Sequence, residues 1–230
     1  MRQMQPVLWT KGVLLSPQHF QTQDRFLEDL LEFQLSALAF SPWGFQRLVI
    51  DREALAAGSF ALSAASGILP DGLLFDIPAS EVAPAPKPLE GAFGPDQEFL
   101  DVYLAVPEYR YGGRNVSSVK DRDARYRAEV LLRRDETTGQ AERPIQVARR
   151  NFRILFAGES LDGASVLRVG RVTRSPTGEY QLDAHFVPPL LDIQASDYVM
   201  SIARRLVEIV SAKSTALAAT RRQKNQSLAE

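Results

Sequence analysis

His19 and His185 are the two histidines of this 230-residue sequence, and their unperturbed range makes them its natural candidates for moving a proton near neutral pH. General acid–base work needs a second, positioned group within hydrogen-bond reach. Neither histidine stands in a tight cluster with Asp or Glu. His19, beside Phe20 early in a predicted helix, reads as a packing or hydrogen-bonding residue. His185 shares a strand parity with Gln181 and Asp183, opposite Tyr180, Leu182 and Phe186, and reads as part of a solvated face. Cysteine is absent, which excludes disulfides, thiolate nucleophiles and cysteine-ligated metals. Asp121 and Asp123 are interleaved with Lys120 and Arg122. That pattern suits self-neutralising surface charge and lacks the Gly and Glu of a calcium loop. Arg149, Arg150 and Arg153 form the densest basic patch, but a nucleic-acid face calls for a wider basic surface with stacking aromatics. Tyr103, Tyr109 and Tyr111 with Asp101 are the candidates for a carbohydrate- or receptor-binding module. No nucleotide fingerprint, nucleophile elbow or zincin motif occurs. The expectation is a protein that is not an enzyme and holds no cofactor, metal or nucleic acid.

Composition agrees with a binding or assembly role. Hydrophobic residues make up 45% and charged residues 24%, with a formal charge of −1. A large core is available, and no global field draws the chain to polyanions or an anionic membrane. The opening Met1-Arg2-Gln3-Met4-Gln5-Pro6 has no apolar signal segment behind it. No apolar run approaches the roughly 18 residues of a membrane helix. A cytoplasmic protein without direct membrane insertion is expected.

The elements that would position these residues follow from periodicity. Val7-Leu8-Trp9 reads as a short strand, and Lys11-Gly12 as a turn. Ser16 is a predicted N-cap with Pro17 at the first helical position. From there to about residue 40, Phe20, Leu27, Leu30, Leu31, Leu35 and Leu38 make an apolar stripe, with Asp24, Arg25, Glu28, Asp29 and Glu32 on the remainder. β signals then dominate to Pro189. Pro70-Asp71-Gly72 marks a hairpin turn, with Leu73, Phe75 and Ile77 on one strand face. Five prolines between 78 and 97 predict a stiff, exposed connection. Leu100, Val102, Leu104 and Val106 alternate with Asp101, Tyr103 and Ala105, and Tyr126, Ala128, Val130 and Leu132 with Arg127, Glu129 and Arg133. Thr137 to Gln140 is the next hairpin turn. Ile145 and Val147 share one parity, while Phe152, Ile154 and Phe156 share the other. The switch near Arg149-Arg150 predicts a bulge or a break between strands. Residues 165–173 and 179–187 form a last predicted pair. Short strands split by Gly and Pro turns indicate a mainly β protein, an antiparallel β-sandwich. After Pro188-Pro189, a helix capped by Ser196 or Asp197 carries a coiled-coil seam of Val199, Ile202, Leu206 and Ile209. That seam weakens at Lys213, Ala216 and Thr220, and the helix reads as truncated.

One stretch is more specific. Trp9-Thr10-Lys11-Gly12, then Pro17-Gln18-His19-Phe20-Gln21 with Asp24-Arg25, resembles the opening signature of the TssK family of type VI secretion baseplate proteins. Asn151 to Glu159, and Phe186-Val187-Pro188-Pro189 before the long helix, are similar to the family too. The resemblance implies a phage tail-like structural protein in three parts: a β-sandwich shoulder, a helical neck and a C-terminal head. Here the shoulder would span 1–190, including the N-terminal flanking helix of about 17–40, and 191–230 would be the first neck helix. It further implies a cytoplasmic homotrimer at the inner face of the inner membrane. Its shoulder would dock onto the TssF and TssG wedge. The head, which lies outside this sequence, would bind TssL and TssM and so link the baseplate to the TssJLM membrane complex. Trp9, Gly12, Pro17, Gln18, His19, Phe20, Gln21, Asp24 and Arg25 would then scaffold the docking surface, with Trp9 and Phe20 in the core and fixing the N-terminal elements to the sandwich.

Overall fold

The structure, a computed structural model, describes residues 5–95, 97–117, 124–175 and 177–227, with side chains to residue 222. Asp121 and Asp123 lie outside the described residues.

The chain folds around two antiparallel sheets. β1 (Gly44–Ile50), β3 (Leu62–Ile68) and β4 (Leu74–Ile77) make one, in the order β1-β3-β4. β6 (Phe99–Pro107), β10 (Arg153–Phe156), β11 (Ala164–Arg174) and β12 (Tyr180–Leu182) make the other, in the order β10-β6-β11-β12. Alternation along β6 sends Leu100, Val102, Leu104 and Val106 inward, all fully buried. They meet Phe45 and Phe75 of the first sheet, and Ile154, Phe156, Leu167 and Val172 of the second. An edge-on contact at 6.0 Å (Phe45–Phe75) lies within the first sheet, and another at 5.6 Å (Phe75–Phe152) reaches from it to the segment leading into β10. This is the expected sandwich.

Local turn chemistry holds as read. Leu69 N–H donates to Leu73 O at 2.9 Å, and Gly72 takes a φ of +79° that a side chain resists. Beyond the core, β8 (Tyr126–Arg134) and β9 (Glu142–Arg150) form a hairpin arm joined by the turn at Gly139, with the short β7 (Val116–Ser117) parallel to β8. The parity switch proves to be a strand break. β9 ends at Arg150 in the arm, and β10 begins at Arg153 in the sandwich. Val130 and Leu132 point away from any cover, 58% and 65% exposed.

Three expectations are corrected. Residues 7–9 form no strand, because among the described residues no strand pairs with them. The predicted strand 179–187 stops at Leu182, because the Asp183 carboxylate accepts from His185 N–H and its carbonyl from Phe186 N–H, turning the chain. The proline-rich connection is not simply exposed. Its Lys87–Pro88 (β5) pairs with Ser59–Phe60 (β2), and Leu89 and Glu81 are buried. The short α2 (Arg52–Ala56) is capped by Asp51. At the end of the chain a 3₁₀ turn (Ile193–Ala195) leads into α3 (Asp197–Ser227), with Ser196 Oγ accepting from Val199 N–H.

Candidate docking surface

The N-terminal signature is built around a single helix start. Gly12 holds φ +84° in the turn closed by Val13 N–H to Thr10 O, so the glycine is there for its backbone. Ser16 caps α1 (Pro17–Leu38) and Pro17 occupies its first position. His19 takes the place of the usual Glu or Gln of a capping box: its Nδ1 accepts from Ser16 N–H at 3.2 Å and lies 2.8 Å from Ser16 Oγ. That ring nitrogen is committed to the cap. The Trp9 ring folds back over the same turn, 6.3 Å from the His19 ring and 6.5 Å from Phe20.

Trp9 and Phe20 are not core residues. They are 51% and 54% exposed, with the Trp9 ring beside those of Phe20 and His19, and neither belongs to the buried core cluster. The same inversion runs along α1. Asp29 is its buried residue, while Leu27, Leu31, Leu35 and Leu38 are exposed. The reason lies in what the charged face finds. The Arg25 guanidinium stacks 4.2 Å above the Tyr109 ring, pairs with Glu28 at 2.5 Å and hydrogen-bonds Tyr126. The Glu32 side chain lies against Gly72 of the hairpin turn. Burial, then the Asp29 and Glu32 carboxylates, push the Tyr111 phenol above its ordinary value.

Between α1 and the sandwich runs a cleft of about 970 Å³. Leu31, Leu35 and Leu38 of α1 line it together with Asp71, Leu74, Arg125 and Ser165. Arg125 is 4% exposed, bonded to Pro107 O at 2.8 Å and paired with Asp71 at 2.7 Å. Nothing in the local sequence pattern marked Ser165 or Arg125, and Asp71 stood out only as a turn residue, because their pairing depends on neighbours far along the chain.

Other candidate groups separate. Arg149 pairs with Glu129 at 2.6 Å, and Arg150 with the buried Glu81, so carboxylates occupy this basic patch. Asp101 is held by Arg171 at 2.8 Å and Arg168 at 3.0 Å. Tyr109 and Tyr111 stack edge-on at 5.2 Å beyond the far end of β6. The tyrosines and Asp101 therefore make no common sugar site. His185 stacks edge-on with Tyr198 at 5.2 Å. No group of three or more His, Asp or Glu side chains arranged for a metal occurs among the described residues. Among the same residues, no helix is long and apolar enough to cross a membrane.

Residues 19–230 match the model of the bacterial type VI secretion family described by the names EvfL, ImpJ and VasE. The chain belongs to the TssK family. The type VI secretion baseplate component TssK1 of Pseudomonas aeruginosa is 34% identical over 218 residues, which are 92% of this chain and 48% of that protein. The chain thus spans about half the length of this curated relative. A chain in the cryo-electron microscopy structure of a TssK-TssF-TssG baseplate subcomplex superposes with a TM-score of 0.85 at 25% identity, covering 94% of this chain and 72% of the other. The crystal structure of TssK superposes with a TM-score of 0.81 at 29% identity, covering 94% and 49%. The exposed Trp9 and Phe20 belong to the N-terminal stretch that resembles the TssK signature, and the exposed leucines of α1 follow it along the same helix.

Proposed function

We propose that this chain is a structural, non-enzymatic part of a type VI secretion baseplate, whose sandwich docks onto a wedge of TssF and TssG. The observation that carries the reading is the exposed apolar stripe of α1. A helix with Leu27, Leu31, Leu35 and Leu38 exposed needs a protein partner to cover it. The likeness to a chain in a TssK-TssF-TssG subcomplex supports TssF and TssG as that partner. In the full-length protein, segments beyond this chain would join the baseplate to TssL and TssM of the TssJLM complex, from the cytoplasmic face of the inner membrane. The protein would act as a homotrimer through the α3 seam. The absence of an enzymatic role is supported by His19, whose Nδ1 is taken by its own helix cap, and by His185, which faces solvent beside Tyr198.

Co-purification of this chain with the TssF and TssG subunits of the same secretion system tests the proposal. A stable complex is expected, weakened when Leu31 and Leu35 are both changed to Asp. Failure to associate with all partners folded would sink it. His19→Ala and His185→Ala are expected to abolish no turnover in hydrolase or transferase screens.

A further inference from the structure

In the second sheet β6 is paired on both sides, while β11 is paired with β6 on one side and only partly covered on the other. On β6, Ala105 and Tyr103 spend their main-chain groups on β10, opposite Arg153 and Leu155. This parity follows from the bond of Ala157 N–H to Asp101 O two residues further along the same ladder. Val166 and Arg168 of β11 stand opposite those same residues, Ala105 and Tyr103. They therefore cannot bond to β6, and their N–H and C=O groups point to the far edge. The Glu108 N–H to Gly163 O bond, and Pro107 with no N–H opposite Ala164, fix the same alternation from the other end. β12 covers that edge opposite Val172–Arg174, and Asp183 N–H extends the cover to Arg171 O at 2.8 Å. Among the described residues, no strand pairs with the edge at Val166 and Arg168.

The Val166 end of this open edge borders the cleft under α1, which Ala164, Ser165 and Val166 help to line. In the same cleft, Ser165 Oγ is buried, with the residue 6% exposed, and has no hydrogen-bond partner. The Arg150 Nε is likewise buried without one. The exposed Leu31, Leu35 and Leu38 line this cleft too. Two main-chain donor–acceptor pairs one strand repeat apart, roughly 6.7 Å, match only another extended polypeptide. The leucines call for apolar side chains at alternate positions of that polypeptide.

We propose that the β11 edge at Val166–Arg168 takes up an extended, alternately apolar segment of the TssF–TssG wedge as an added strand, clamped by α1. This inference rests on the wedge-docking reading and specifies how the docking is made. The strand supplies affinity through its main chain, and Leu31, Leu35 and Leu38 read its side chains.

Amide hydrogen exchange of this chain, alone and with the TssF–TssG wedge, tests the assignment. Val166 and Arg168 N–H are expected to exchange fast in the free chain and at least about tenfold more slowly in the complex. Val166→Pro removes one outward donor and leaves the β6 bonds of Ser165 and Leu167 intact. It is expected to weaken wedge binding about tenfold or more, and Leu35→Asp likewise. A complex that forms while both amides stay unprotected overturns the added-strand assignment and leaves wedge docking standing. Failure of the unmodified chain to bind the wedge counts against the docking reading itself, and with it this inference. Protection that rises with chain concentration alone assigns the edge to a second copy and overturns the wedge segment as occupant. Should Val166→Pro not fold, the exchange measurement on the unmodified chain still decides.

Discussion

The carboxylate of Glu81 receives the guanidinium of Arg150 from 69 positions further along the chain. Glu81 is 3% exposed and Arg150 30%, so the pair is buried at its acidic end. Arg150 N–H also donates to the other Glu81 oxygen at 3.3 Å. This contact anchors the base of the β8–β9 arm to the proline-rich connection.

Removing one partner of such a pair leaves a charge poorly solvated. Glu81→Ala is expected to cost about 3 kcal/mol, which for a chain of this size lowers the melting temperature by about 6–12 °C. The double change Glu81→Leu with Arg150→Met should recover much of the loss. An unchanged melting temperature in Glu81→Ala would show that the arm is held elsewhere.

Asp101 predicts an acid dependence with a definite sign. Burial raises its carboxyl, but hydrogen bonds and charge from Arg171 and Arg168 outweigh burial and hold it below the ordinary carboxylate value. Its contribution is therefore present above the unfolded value near pH 4 and is lost as pH falls through the lowered folded value. Asp101→Asn should flatten that part of the stability curve in denaturation measured from pH 5 to pH 2. A wild-type curve and a mutant curve of identical shape would remove the linkage.

Trp9 and Phe20 give a stability prediction set by their exposure. A fully buried aromatic truncated to Ala costs about 3–5 kcal/mol. With about half of each ring in water, only about 100 Å² is covered, so the loss is about 2.5 kcal/mol at most. Chemical denaturation of Trp9→Ala and Phe20→Ala measures it. A loss of 4 kcal/mol or more, above the roughly 3 kcal/mol floor for buried rings, would place the rings in the core after all.

The α3 seam predicts self-association that depends on concentration. Val199 is half-buried, and Ile202, Leu206 and Ile209 are exposed along one side of the helix. Barely two heptads of seam precede Lys213, too few to offset helix nucleation and association entropy when dilute. Sedimentation over a wide concentration range should show monomer when dilute and trimer when concentrated, with Leu206→Asp suppressing the trimer. A trimer that persists at the lowest concentration despite that charge would assign assembly to the sandwich.

What the sequence by itself determined was local. Alternation placed Leu100 to Val106 on one strand face, Ser16-Pro17 opened α1, and the parity change at Arg149-Arg150 separated two strands, because strand alternation and helix capping are set within a few residues. The TssK-like signature was legible in the same way, as residue types at fixed spacing. Which surfaces are covered was decided only by the tertiary structure. The leucine stripe of α1 gave no sign that it would face water, since the charged face won through Tyr109 and Tyr126, far along the chain. The strand expected over 179–187 ended early once Asp183 captured its own following amides. The open edge at Val166 and Arg168 was invisible in sequence for the same reason: a strand carries its pattern of faces within itself, but its pairing depends on which distant segment arrives beside it.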